Sequence, residues 1–360
     1  MNKLSGVLIM ALLLSVQLFG QQKTVAEADR FFGIKNYEQA LPLYEQAVQA
    51  GEKDPLVHYK LGVCFQKSGE TAMQIKGIPY LEYALQNSKV IPVNVYYDLG
   101  ELYMKDENVQ RAAECFGKFK ELSNKSDKNA LAMADRAIEI CNHATVFMSV
   151  PRNIAVKPLP SIVNTSLTEY NPVVSADESV LAFTALRPNT GKTRTSDKYI
   201  EEIYISYNTS GSWSEPKVVP VASQYNVGTA GISADGQRML IFMGGVDDPG
   251  SIFMINKDGD GWSKPSLVAN TLNTPRYLES TASITPDGKI IYFASDRLGG
   301  QGGLDLYRIE KKADGTWTSP VNLGPEVNSK NNEDAPFIHP DQRTLFFTSD
   351  GHNTMGGRDI

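Results

Sequence analysis

The stretch most suggestive of chemistry is "SDRLGGQGGLDLY", Ser295 to Tyr307, where Asp296 and Asp305 flank a glycine-rich loop from Gly299 to Gly303. Unhindered backbone N–H groups bind anions and carboxylates bind hard cations, so such loops hold phosphate or calcium in many proteins. A calcium nonapeptide repeat reads Gly-Gly-x-Gly-x-Asp in tandem. This stretch has one glycine too many before its acid and no adjacent copy. Its counterpart lies 54 residues on, in "SDGHNTMGGRDI", where Asp350, Gly356, Gly357 and Asp359 stand for Asp296, Gly302, Gly303 and Asp305. A loop that returns at one period is read as a connection between strands.

The other candidates are weaker. "NKDGDGW", Asn256 to Trp262, alternates acids like a calcium loop, but its twelfth position is Leu267 where a bidentate Glu is needed. His58, His143, His339 and His352 have no metal spacing. "GISADG" has the wrong residue at the end for a Gly-x-Ser-x-Gly elbow. The expectation is a non-enzyme with no catalytic, cofactor-binding or metal residue. Cys64, Cys115 and Cys141 are too few for a disulfide framework and are read as small buried hydrophobes, with one disulfide as the alternative. A net charge of −6 over 360 residues gives no basic surface, so nucleic acid is excluded as a partner class.

The elements that would carry these residues begin with an export signal. Lys3 precedes an apolar run from Val7 to Leu14, then a small residue, Gly20, before Gln21. This reads as a signal peptide over 1–20, cleaved near Gly20–Gln21, and no cysteine follows it to hold a lipid anchor.

Small and aromatic residues then recur. Ala28, Gly62 and Gly100 are spaced by 34 and 38 residues, and Ala40, Gly77 and Ala112 by 37 and 35. The tetratricopeptide period is about 34, with small residues where two helices touch. Residues 24–148 therefore read as tetratricopeptide-like repeats, with an insertion around "KSGETAMQIKG" and an amphipathic helix from Asn129 to Phe147 as a cap. Phe119 departs from the pattern, standing where a small residue is usual.

"SVPRNIAVKPLP" breaks the helical period, and residues 149–160 are read as a linker leading into an orphan outer strand. Over 161–360 the period falls to two, and four copies of one unit align on Asp177, Asp235, Asp287 and Asp341, at steps of 58, 52 and 54. The signature positions are Asp235-Gly236, Asp287-Gly288 and Asp341 at the turns, and Trp213, Trp262 and Trp317 after the third strands. All are read as structural. Asp-Gly supplies the positive-φ pair of a tight hairpin, from which Glu178 and Gln342 depart, so those two turns are expected to be of another type. The tryptophans are read as plates packed between blades, with an aromatic ligand box as the sharper alternative.

"PDGKIIYF", Pro286 to Phe293, resembles the TolB-like, WD40-related propeller repeat. "VNLGPEVNSKNNEDAPFIHPDQRTLFFTSDGHNTMGGRDI" resembles the exported tetratricopeptide–propeller proteins of the Bacteroidetes OmpA-like envelope family. The fold class implied is multidomain, a tetratricopeptide (TPR) α-solenoid followed by an all-β, partial β-propeller of about four blades, the last incomplete. The resemblance implies an exported scaffold in the periplasm or at the periplasmic face of the outer membrane. Its partners would be envelope proteins, held by the helical groove and the propeller face. Some members of the family serve type IX secretion, and peptidoglycan would be reached only through an OmpA-like domain not contained in this sequence. The chain is accordingly expected to continue in nature beyond Ile360. The alternatives are a ligand-binding or sensing propeller for glycan or peptide, and the accessory propeller of a secreted peptidase.

Overall fold

Helix-stopping signals cut the first half into pairs. The computed structural model describes residues 22–150, 154–190, 197–221, 226–245 and 249–360, so the expected signal peptide lies outside the described residues. The chain divides at Pro151–Arg152 into two compact units.

In the first unit α1 (22–33) and α2 (Tyr37–Gln49) form one hairpin. A second follows from α3 (Pro55–Gln66) and α5 (Ile78–Asn87), with the short α4 (Thr71–Gln74) and a 3-10 turn (Ile75–Gly77) inserted between them. The third is α6 (Asn94–Lys105) with α7 (Val109–Leu122), and α8 (Lys128–Ser149) packs on α7. The starts are written in the sequence. Asn36, Asp54, Asn108 and Asp127 each accept a hydrogen bond from the backbone N–H two or three residues on, satisfying a donor the helix leaves unpaired.

The predicted small residues sit where helices meet. A Cβ on Gly77 would stand 2.8 Å from the carbonyl oxygen of Gly62, so α3 and the turn entering α5 approach backbone to backbone. Ala28, Ala40, Ala84 and Ala112 are wholly buried. Phe119 is also buried, and its ring meets Tyr97 edge-on at 5.2 Å. The departure from a small residue is accommodated by an aromatic contact between α6 and α7. Cys64, Cys115 and Cys141 are free thiols, and burial pushes them up to about 12, 11 and 11.

The second unit is a row of antiparallel blades. Blade one holds β1 (Glu169–Val174), β2 (Val180–Pro188) and β3 (Tyr199–Thr209), with β4 (Ser212–Trp213) and β5 (Lys217–Val218) both paired to β3. Blade two holds β6 (Asn226–Ile232), β7 (Arg238–Gly244), β8 (Ser251–Asp258), β9 (Gly261–Trp262) and β10 (Ser266–Leu267). Blade three holds β11 (Glu279–Ile284), β12 (Ile290–Ser295), β13 (Asp305–Glu310) and β14 (Val321–Asn322). Blade four pairs β15 (Glu333–Ile338) with β16 (Leu345–Ser349), and Ser349 bridges to Asp359 where a third strand would start. The first strands β1, β6, β11 and β15 stand next to one another in that order.

Alternating side chains bury both faces of each inner blade, as strands packed on two sides require. Val180, Ala182, Ile203 and Ile205 of blade one share a core with Met239, Ile241 and Ile255 of blade two. Leu240 and Ile252, from the other face of blade two, share the next core with Ile291, Phe293 and Ile309 of blade three. This is propeller packing. The segment read as an orphan outer strand differs from expectation: residues 154–168 form no strand, and Val163 instead packs with Leu181, Phe183 and Ala185 on the free face of blade one. Its prolines, Pro158 and Pro160, remove the donors a ladder needs.

Candidate functional site

The hairpin turns come first because sequence singled them out. In all four the backbone N–H of the fourth residue returns to the first carbonyl: Glu178 to Ser175, Gly236 to Ser233, Gly288 to Thr285 and Gln342 to His339, at 2.8–2.9 Å. Only that fourth residue has positive φ, at 56°, 67°, 71° and 59° respectively. The expectation of a positive-φ pair, and of a different turn type at Glu178 and Gln342, is therefore corrected. Each is a type I turn whose last residue is left-handed, inside a four-residue connection closed by the first residue's N–H to the carbonyl five residues on: Ser175 to Val180, Ser233 to Arg238, Thr285 to Ile290 and His339 to Thr344. Pro286 and Pro340 occupy the position of that turn which favours proline.

The turn acids act inward on their own loops. Asp287 accepts from the Thr285 hydroxyl at 2.7 Å and the Lys289 N–H at 3.1 Å, and Asp235 accepts from the Ser233 hydroxyl and the Gln237 N–H. Asp341 accepts from the N–H groups of Arg343 and Thr344. In Asp177 the Ser175 and Ser179 hydroxyls hold the carboxyl down to about 2. Each hydroxyl at the first turn position in the first three blades also accepts a backbone N–H, so the motif Ser/Thr-x-Asp closes on itself.

The tryptophans are half-buried. Trp262 packs on the core shared by blades one and two, and Trp317 on that of blades two and three. Trp213 lies against Leu181, Phe183 and Ala185. They stand in separate cores rather than in one aromatic box.

The glycine loop resolves in the same way. Asp305 is fully buried and accepts from the N–H groups of Gln301 (2.5 Å) and Gly302 (3.0 Å) and from the Asn322 amide (2.8 Å). In blade four Asp359 accepts from the Met355 N–H and the Thr354 hydroxyl. The acid that resembled a ligand is the anchor of its own loop.

Sequence reading missed a second repeated device. Asn273 gives its amide to the Ile252 carbonyl and receives the Ile252 N–H, both at 2.8 Å, and Asn328 does the same to Leu306 at 3.0 and 2.7 Å. Five or six residues after each asparagine, a glutamate opens the next blade. Glu279 accepts from the Thr274 hydroxyl and from Arg297 at 3.0 Å, and Glu333 from the Ser329 hydroxyl at 2.6 Å. Burial pushes the Glu279 carboxyl up. The signal was legible as Asn-Thr/Ser followed by Glu in "NTPRYLE" and "NSKNNE".

Two further features remain. Where the four first strands meet, a recess of about 290 Å³ is walled by Pro172, Val173, Ala230, Ala282, Pro336 and Phe337. No lining residue is charged. In the helical unit, the Gln66 amide of α3 donates to Asp98 (3.0 Å) and Glu101 (2.8 Å) of α6. Burial pushes both carboxyls up, against the pull of Gln66 and Lys67. These are the first helices of neighbouring hairpins. Among the described residues no group of three or more His, Cys, Asp or Glu is arranged to hold a metal ion, and no helix is long and apolar enough to cross a membrane.

No family model and no curated protein matches the chain. Among solved structures it is similar to the Sgt2 TPR domain from Aspergillus fumigatus, at 20% identity over 39% of this chain and 91% of that domain, with a TM-score of 0.27. It is also similar to a prolyl endopeptidase, at 11% identity over 49% of this chain and 22% of that one, TM-score 0.33. A Hadza microbial sialidase, Hz136, gives 14% identity over 50% of this chain and 41% of that one, TM-score 0.32. The chain thus spans less than half the length of either of these two enzymes.

Proposed function

We propose that the protein is a non-enzymatic scaffold of the cell envelope, exported by the segment 1–20, which joins a peptide-binding helical stack to a protein-binding propeller. The observation that carries this reading is the pairing of Asp98 and Glu101 on α6, two carboxylates kept partly out of water with the Gln66 amide of α3 between them. Desolvated charge is costly for folding alone and is useful to a ligand-binding surface. A role beside type IX secretion, and anchoring to peptidoglycan through an OmpA-like domain carried elsewhere, are the finer forms of the proposal. They rest on the resemblance of the propeller sequence.

The test is fractionation of cells expressing the tagged protein, followed by capture with and without Asp98→Ala. Recovery from periplasm or outer membrane with envelope proteins that the variant loses supports the reading. Retention in the cytoplasm, or capture that Asp98→Ala leaves unchanged, overturns it. The second reading, a propeller that holds an uncharged glycan or peptide, is favoured by the uncharged walls of the recess among the first strands. Titration of neutral oligosaccharides and capped peptides, followed by the fluorescence of the protein, separates the two.

A further inference from the structure

The Gln66 amide is half satisfied. Its side chain is 96% buried, and its Nε2 lies 3.0 Å from Asp98 Oδ1 and 2.8 Å from Glu101 Oε2. Its Oε1 is buried as well and has no hydrogen-bond partner among the described residues. A buried amide oxygen without a donor is a cost that folding alone does not recover. Asp98 and Glu101 stand three residues apart on α6, so they share one face of the helix, and both are only partly covered. A carboxylate has about four acceptor sites, of which the single bond from Gln66 fills one on each acid.

The cations nearby leave those sites open. Lys67 and Lys105 pull on the acids from a distance, and among the described residues no salt bridge reaches Asp98 or Glu101. Lys105 gives its ammonium to Gln74 Oε1 at 2.5 Å, and Lys67 is exposed. Three acceptors, two of them charged, thus converge on one amide with no donor assigned to them.

We propose that Gln66, Asp98 and Glu101 form a binding site for a primary ammonium group on a peptide partner, a refinement that rests on reading the helical unit as a peptide-binding stack. One nitrogen, Gln66 Nε2, already reaches both carboxylates, so the spacing suits a point donor. An ammonium carries three N–H groups and no acceptor, one donor for each carboxylate and one for Gln66 Oε1. A guanidinium spreads five donors over a plane and would leave some of them unmatched here. The positive charge also offsets what burial costs the acids, because an opposite charge beside a desolvated carboxylate favours its ionised form. The ammonium is that of a lysine side chain or of a free amino terminus.

The test titrates the purified full chain, by calorimetry, with the blocked peptides acetyl-Ala-Ala-X-Ala-Ala-amide, X being lysine, norleucine or glutamate. A further peptide, all alanine with a free amino terminus, separates the two sources of ammonium. At least one ammonium peptide is expected to bind about tenfold or more tighter than the norleucine peptide, and the one that does names the source. Asp98→Asn is expected to weaken that binding about tenfold or more while melting no lower than the parent, so lost recognition is distinguished from lost folding. Lys67→Ala, which removes a competing cation and none of the three acceptors, is expected to tighten it. Norleucine or glutamate binding as well as lysine, no binding of either ammonium peptide, or affinity unchanged in Asp98→Asn overturns the proposal. None of these readouts depends on cellular location or envelope extract. The scaffold reading therefore stands if its partner is captured through another group while this assignment fails, and it fails on location while this assignment holds.

Discussion

Asn328 pairs with Leu306 as a neighbouring strand would, receiving its N–H at 2.7 Å and donating to its carbonyl at 3.0 Å. Asn273 makes the same pair with Ile252. One side chain thus finishes the edge of a third strand just before the chain enters the next blade. Both asparagines are at least nine-tenths buried. Replacing Asn328 with Ala leaves a buried N–H and carbonyl without partners, at a cost of about 2–4 kcal/mol. Urea unfolding of the propeller unit is expected to show that loss, and a change under 1 kcal/mol would refute the clamp.

The left-handed residues at the turns give a prediction of opposite sign. Glu178 and Gln342 hold φ of 56° and 59°, a conformation that strains a side chain and leaves glycine unstrained. Glu178→Gly and Gln342→Gly should each stabilise the unit by about 0.5–1 kcal/mol after the greater flexibility of unfolded glycine is counted. Gly288→Ala should destabilise it by a similar amount. Thermal unfolding of the three variants checks the ordering.

Glu279 is fully buried and its cation is Arg297, at 3.0 Å. Removing one partner strands a buried charge, so Arg297→Met is expected to cost about 3–5 kcal/mol. Arg297→Met combined with Glu279→Gln should recover part of that loss. A single variant as stable as the double would show that the carboxylate is held by its hydroxyl neighbours alone.

The acid pair of the helical unit predicts a pH dependence. Burial raises Asp98 and Glu101 above their unfolded values, so the folded state holds protons more tightly. Stability from this pair is complete below the ordinary carboxylate range and is lost as pH rises through the raised values. Asp98→Asn should therefore raise the melting temperature at pH 7, with the gain shrinking toward pH 4. A gain of the same size at both values would assign the effect to packing.

The fold was legible because both halves are repetitive. Spacings of 34–38 residues among Ala28, Gly62 and Gly100 mark the contacts between helices, and the turn acids mark the blades. What escaped was local and depended on distance. Nothing in Asp-Gly distinguishes one positive-φ residue from two, and that choice emerged only from the hydrogen bond returning to residue Ser233 or Thr285. The prolines of 154–168 outweighed a likeness to outer-strand sequence. Gln66, Asp98 and Glu101 are more than thirty residues apart in part, so their meeting follows from how hairpins stack. Blade four shows the limit of repetition: Gly351 stands where blade three has Arg297, and Glu333 is buried against the Ser329 and Ser349 hydroxyls instead.

The scaffold reading is tested most directly by cross-linking the purified protein to envelope extracts and mapping the linked residues. The expected result is saturable linkage of defined envelope proteins through Lys67 and Lys105, beside the acid pair, lost in Asp98→Ala. Linkage scattered over both units and indifferent to that substitution, or turnover of a peptide or glycan by the purified protein, would contradict it.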